Sequence, residues 1–275
     1  MGLVRIELIV VLVVCVSLGG YGNPTSKILG GSVVAPGELP CLAFLQTRDG
    51  QFLCGAAIIS DSHLLTAAHC ILNLRNGRNV IRHLIAVTGT VDRHSFNPAD
   101  TFNITRFYYS RNYTTVLNGP DIMILKLNGS IVFDNFKQPI ALPSTPTPSG
   151  EVATVSGWGH ASLVDGKREI HQHLLKLGVK IIDLDECKSH FGDRVGLNNM
   201  CATSAIGSGF CMGDSGGPLI YNSTVIGIVS VALGDTGPEC GSRHPDIYAN
   251  VYLQTSWIKC VMKEEGSCLG IIVRH

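Results

Sequence analysis

Three short stretches of the chain carry side chains able to act on a carbonyl carbon. The first is Gly213-Asp214-Ser215-Gly216-Gly217-Pro218. A serine hydroxyl is a poor nucleophile at neutral pH and needs a base, a group that orients the base, and donors for the oxyanion. Glycines around Ser215 let backbone N–H groups turn inward and let another chain approach closely. Taken alone, the hexapeptide also reads as a glycine-rich turn. The second stretch, Leu65-Thr66-Ala67-Ala68-His69-Cys70, offers a base between small residues and a cysteine that would lock its backbone. A lone histidine is more often structural than catalytic. The third, Asp121-Ile122-Met123-Ile124-Leu125-Lys126-Leu127, puts a carboxylate at the head of an apolar strand, where by itself it reads as a strand cap. In chain order the three supply base, carboxylate and nucleophile: His69, Asp121 and Ser215.

Those residues need a rigid frame. The chain has 275 residues, enough for one large domain or two small ones. Apolar residues make up 45% and charged residues 15%, which excludes a disordered chain because there is ample side chain to fill a core. Short apolar runs at Leu42–Leu45, Ala57–Ile59, Ile85–Val87, Ile122–Leu127 and Val225–Val231, with 31 Gly and 12 Pro between and around them, predict an all-β fold. Leu253, Trp257, Ile258 and Val261 keep a spacing that predicts a closing helix. The formal net charge is zero, so no basic field is present to hold nucleic acid or acidic lipid.

The first residues read as an address. Arg5 precedes an apolar run from Leu8 to Leu18, about half of the roughly 20 residues a spanning helix needs, and Gly19 and Gly20 follow. Residues 1–20 are therefore expected to be a signal peptide, leaving no membrane segment once removed. Sequons at Asn103, Asn112, Asn128 and Asn222 agree with a secreted, extracellular glycoprotein. Of ten cysteines, Cys15 lies in the leader, and the rest lack zinc-ligand spacing, so disulfides are expected. An odd number remains, which leaves at least one thiol free or bonded to another chain. His171 and His173 alternate without an acidic or third ligand and read as surface histidines. Neither a metal nor a cofactor is expected.

From residue 28 to about 262, on the three motifs and on Ser156-Gly157-Trp158-Gly159, the chain resembles the serine proteases of the chymotrypsin and trypsin family. The resemblance implies two six-stranded antiparallel β-barrels with a C-terminal helix and an active site in the cleft between them. It divides the domain 28–275 into barrel one at about 28–145, barrel two at about 146–250, and a helix and tail at 251–275. His69 would be general base and then acid, Asp121 would hold its tautomer, Ser215 would attack, and the N–H groups of Gly213 and Ser215 would bind the oxyanion; this mechanism is the family's own. Three disulfides are implied by position: Cys54–Cys70, Cys187–Cys201 and Cys211–Cys240. Cys41, Cys260 and Cys268 have no standard partners, and Cys41 bonded to one of the other two would tie the end of the chain to barrel one. The calcium loop of some members is not expected, since residues 71–91 contain no Asp or Glu.

The family is activated by cleavage before a sequence like Ile28-Leu29-Gly30-Gly31, and Lys27 precedes it here. A short propeptide, 21–27, a trypsin-like activator and burial of the Ile28 amine against Asp214 follow from the resemblance. No accessory module is expected before the catalytic domain. The expected pocket comprises Gly209 on the floor, Phe210 and Met212 beside it, Ser230-Val231-Ala232 along the substrate strand, and Asp246 on the far wall. Ser230 should also support Asp121. Gly209 and Phe210 suggest an apolar pocket. Asp246 suggests a basic or mixed preference, as in similar arthropod collagenase-like proteases, unless it bonds locally and closes the pocket. The implied partners are protein or peptide substrates, an activating protease, and serpin or small-protein inhibitors of a monomer. Digestive, saliva or venom, and cascade roles all fit. The alternative is a catalytically silent homologue that binds a partner.

Overall fold

The computed structural model describes residues 30–73, 83–117, 119–164, 167–235, 240–263, 268 and 271–274, with 161–169 and 271–274 described as backbone. Two closed six-stranded antiparallel β-barrels make up the body of the chain. The first runs in the order β6-β5-β2-β3-β4-β7 and closes by pairing β6 with β7. Its strands are β2 (Leu42–Thr47), β3 (Phe52–Ile58), β4 (His63–Thr66), β5 (Leu84–Thr88), β6 (Thr101–Ser110) and β7 (Met123–Leu127). The second runs β11-β12-β15-β14-β13-β8 and closes through β11 and β8. It is built from β8 (Val152–Gly157), β11 (Leu175–Ile182), β12 (Asn199–Thr203), β13 (Pro218–Tyr221), β14 (Thr224–Ala232) and β15 (Asp246–Asn250). The short β1 (Ser32–Val33) pairs with β11, and β16 (Ile271–Arg274) pairs with β6 beside β5. A separate hairpin joins β9 (His160–Val164) to β10 (Lys167–Ile170).

Closure removes the exposed edges that an open sheet of this length would carry. It also explains why the strands read as continuous apolar runs rather than clean alternation. Leu42, Ala43, Phe44 and Leu45 are all buried in β2, one set inside the barrel and the other under neighbouring elements. The β13–β14 hairpin turns at Asn222 and Ser223, whose φ values of 46° and 56° match the twist that two-residue turns require.

Three short helices decorate the barrels: α1 (His69–Leu72), α2 (Leu184–Phe191) and α3 (Thr255–Met262). Asp183 caps α2 by accepting the Glu186 N–H at 2.7 Å, and Lys188 and His190 lie in its last turn, where the carbonyl ends favour cations. Helix α3 corrects the sequence reading. Its buried face is Thr255, Ile258 and Val261, whereas Leu253 lies in the preceding turn and is exposed. The spacing was sound from Trp257 onward, but the helix begins after Leu253. No helix among the described residues is long and apolar enough to cross a membrane.

Four disulfides join Cys54–Cys70, Cys187–Cys201, Cys211–Cys240 and Cys260–Cys268. The last replaces the expected link from Cys41 to the end of the chain: Cys260 in α3 reaches only eight residues on, to Cys268. Cys41 is a buried free thiol in the barrel-one core, pushed up to about 12 by burial.

Trp158 ties the barrels together. It follows β8 of barrel two, yet its ring is fully buried in the barrel-one core, 5.2 Å from Phe44, and its indole N–H donates to Val91 O at 3.1 Å. Trp158→Ala should therefore cost about 3–5 kcal/mol in chemical denaturation, the range for emptying a large aromatic site.

Candidate active site

His69 opens α1 directly after β4, and the Cys54–Cys70 disulfide fixes that turn against β3. Asp121, just before β7, is almost completely buried. A carboxylate out of water must be given donors, and here it has three. The His69 backbone N–H reaches Oδ1 at 2.9 Å, His69 Nδ1 reaches Oδ2 at 2.7 Å, and the buried Ser230 hydroxyl donates to Oδ2 at 2.6 Å. With the proton on Nδ1, Nε2 is left as the acceptor. Tyr113 is a neighbour that sequence reading missed: burial, then the Asp121 charge, push its hydroxyl pKa up.

The Ser215 segment lies between β12 and β13 and is tied to both barrels through its main chain. Gly55 N–H, in β3, donates to Ser215 O at 2.8 Å, and Gly216 N–H donates to Val229 O at 2.9 Å. Gly213 has φ +97°, a conformation that other residues rarely adopt. Among the described residues, neither the Gly213 N–H nor the Ser215 N–H has an acceptor, and no hydrogen bond joins Ser215 Oγ to His69 Nε2. Asp214 is fully buried and accepts the Gly159 N–H at 2.7 Å and the Cys211 N–H at 2.8 Å. Burial outweighs these donors and pushes its carboxyl up to about 6.

The residues expected to form the pocket lie on two segments of barrel two. Asp246 opens β15, opposite Ala232 of β14. Gly209 has φ +140°, and a Cβ built on it would lie 2.7 Å from Asp246 Oδ2, so the carboxylate fills the space a side chain at 209 would take. Asp246 is 8% exposed and accepts the Phe210 N–H at 3.2 Å. Burial, opposed by that amide and reinforced by the Asp214 charge, pushes it up to about 7. Phe210 differs from the sequence reading: its ring is buried in the barrel-two core, edge-on to Tyr248 at 5.2 Å, so it offers the pocket its amide rather than an apolar face. The Tyr248 hydroxyl is fully buried and unpartnered among the described residues. It was legible in principle, because residues two apart on a strand share a face and Asp246 lies two before it. Met212 is exposed, Ser230 is buried beneath Asp121, and Val231 and Ala232 are partly buried.

A model of the trypsin family matches residues 28–258. The chain belongs to the trypsin family of serine endopeptidases. It is 31% identical to "Trypsin delta" of Drosophila melanogaster over 236 residues, 84% of this chain and 87% of that protein. It is 31% identical to "Serine protease SP24D" of Anopheles gambiae over 240 residues, 86% and 82% of the two chains. With "Trypsin alpha" of Drosophila erecta the identity is 30% over 266 residues, 93% and 97% of the two chains.

Other site residues of this trypsin-family chain fall as follows. Lys27 and Ile28 lie outside the described residues. Gly30 is described and packs so closely on Ser208 that a side chain at 30 would collide with its hydroxyl. Asn103, Asn112, Asn128 and Asn222 are all exposed. Cys54, His69 and Cys70 bring ligand-type atoms within 4.8 Å of one another, but the two sulfurs are bonded to each other and are not thiolates.

Asp246 makes a stability prediction. Its folded pKa of about 7 lies above the unfolded value near 3.9, so the folded state holds the proton longer. Stability contributed here is present at acid pH and lost as pH rises from about 4 through 7. Asp246→Asn should lose less stability than the parent between pH 5 and pH 8 in urea unfolding. An equal loss in both chains would mean the carboxylate is already neutralised by a partner.

Proposed function

We propose that the chain is a secreted serine endopeptidase made as a zymogen. Residues 1–20 are the signal peptide, 21–27 the propeptide and 28–275 the protease domain. His69 takes the Ser215 proton and returns it to the leaving amine, Asp121 holds the imidazole, and the Gly213 and Ser215 amides receive the oxyanion. The observation that carries this reading is two backbone donors without acceptors beside a serine, with a base already oriented by a buried carboxylate. The Gly213 and Ser215 amides are thereby left free to receive a substrate oxygen.

Activation is cleavage after Lys27 by a trypsin-like protease, followed by pairing of the new Ile28 amine with Asp214. The support is a buried carboxylate with no cationic partner among the described residues, and Gly30 packed against Ser208, about 7 Å of chain from residue 28. The free amine has a pKa of about 8, and pairing raises it. The ion pair therefore stabilises the active form below that value and is lost as pH climbs through the raised one. Four disulfides and four exposed sequons support an extracellular glycoprotein. Its partners in this reading are protein substrates and inhibitors, met as a monomer.

The preference at the cleaved residue is basic or mixed. Asp246 accepts one amide only, which is too little for a buried carboxylate. A substrate Lys or Arg supplies the cation it lacks.

A serine-reactive acylating probe should label Ser215 in the Lys27-cleaved chain and leave Lys27→Gln unlabelled. No labelling of the cleaved form would favour the silent, partner-binding homologue. Asp121→Asn should lower kcat by about 10⁴-fold, as in the template triad. On a peptide library, cleavage after Lys or Arg should collapse in Asp246→Gly. Cleavage after Phe, Leu or Ala that is unchanged in that variant would make Asp246 structural and the activator a separate enzyme.

A further inference from the structure

A second titratable cluster lies away from the triad, where the last turn of α2 meets the segment entering β15. His190 is exposed, the His244 side chain is 15% exposed, and their Nδ1 atoms are 3.3 Å apart with the rings perpendicular. His244 Nε2 is 2.8 Å from Asp235 Oδ1. That carboxylate is in turn held by Arg243 Nη2 at 3.0 Å from both of its oxygens. The Phe191 ring packs beside both imidazoles, 6.1 Å from His190 and 5.8 Å from His244.

We propose that His190 and His244 form a binding site for one divalent transition-metal ion of the Zn²⁺ class. Two nitrogens each about 2.0–2.1 Å from a Zn²⁺ at the tetrahedral angle are about 3.3–3.4 Å apart, which is the separation found. Asp235 accepts the hydrogen bond from His244 Nε2–H, which keeps the proton there and leaves Nδ1 with its lone pair. A carboxylate behind a ligating imidazole is the usual support for such a ligand. The Arg243 charge is directed at Asp235, where it balances the carboxylate rather than facing the ion alone. Two protein ligands with water in the remaining positions make an exchangeable site, reached from solvent on the His190 side. The bound ion joins α2 to the strand that begins with Asp246, and so clamps the outer side of the pocket wall. This site does not rest on the proposed protease activity.

The test is calorimetric titration of ZnCl₂ into the full chain carrying Ser215→Ala, which prevents self-digestion. One ion per chain should bind, at least tenfold more weakly in His190→Ala and in His244→Ala, and about 10–100-fold more weakly in Asp235→Asn. A His171→Ala/His173→Ala variant should bind as the parent does. Zn²⁺ should also raise the Tm of the parent and not that of His190→Ala. The proposal fails if the parent binds no ion, since the pair is then only a hydrogen bond. It also fails if affinity survives in both His190→Ala and His244→Ala, or is lost with His171 and His173 instead.

Discussion

The Asp121 carboxylate is shut off from water and is satisfied from both barrels at once. Its donors are the main chain and ring of His69, on barrel one, and the hydroxyl of Ser230, on β14 of barrel two. Unpaired burial of such a group costs several kcal/mol, so the geometry that satisfies it is strongly selected over nearby ones. Everything else in the cleft follows from that constraint. With Ser230 held at Asp121, Val229 is fixed one residue away and receives the Gly216 amide, which positions the turn carrying Ser215. Gly55, next to the Cys54–Cys70 disulfide, then closes the circuit by donating to Ser215 O. The base and the nucleophile belong to different barrels but share one continuous hydrogen-bonded frame.

Barrel two carries two further carboxylates that burial holds above the ordinary range, Asp214 and Asp246. They differ in what satisfies them. Asp214 accepts two amides. Asp246 accepts one amide, and its charge acts on the buried Tyr248 hydroxyl. The negative charge raises the cost of ionising its neighbour, so a cation placed at either one eases ionisation of the other. Glycine at 209 leaves the space that the Asp246 carboxylate fills.

The chemistry was legible because its motifs are local: a serine among glycines, a histidine before a cysteine, an aspartate heading an apolar strand. The strand runs were legible too, since barrel strands buried on both sides are nearly continuous in apolar residues. What the sequence hid was direction and long-range pairing. Phe210 has the composition of a pocket residue, but in an extended chain adjacent side chains face opposite ways, and its ring points into the core. Leu253 fitted the helical spacing by one accidental match before the helix began. Cys41 and the C-terminal cysteines could be counted but not paired, because the choice depends on whether α3 brings Cys260 nearer to Cys268 or to β2. The His190–His244 pair arises only when segments far apart in the chain are brought together.

The connection from β14 to β15 is where these long-range effects meet. Ala232 at the end of β14 pairs with Asp246 at the start of β15, so the intervening chain leaves and returns beside Asp246. A connection of that length would cost considerable entropy to order if held only at its ends. It is instead cross-tied. Cys240 is bonded to Cys211 beside the nucleophile turn, Ser242 Oγ donates to Leu233 O at 3.1 Å, and Arg243 and His244 both engage Asp235. Each tie lies within this connection except the disulfide, which anchors it to the Gly209–Ser215 segment. Contacts on the outer side of this connection therefore bear on Asp246 at one end and, through Ala232 and Ser230 of β14, on the Asp121 carboxylate at the other. Strand β14 is shared by the two carboxylates, and Cys211 couples the same connection to the turn that carries Ser215.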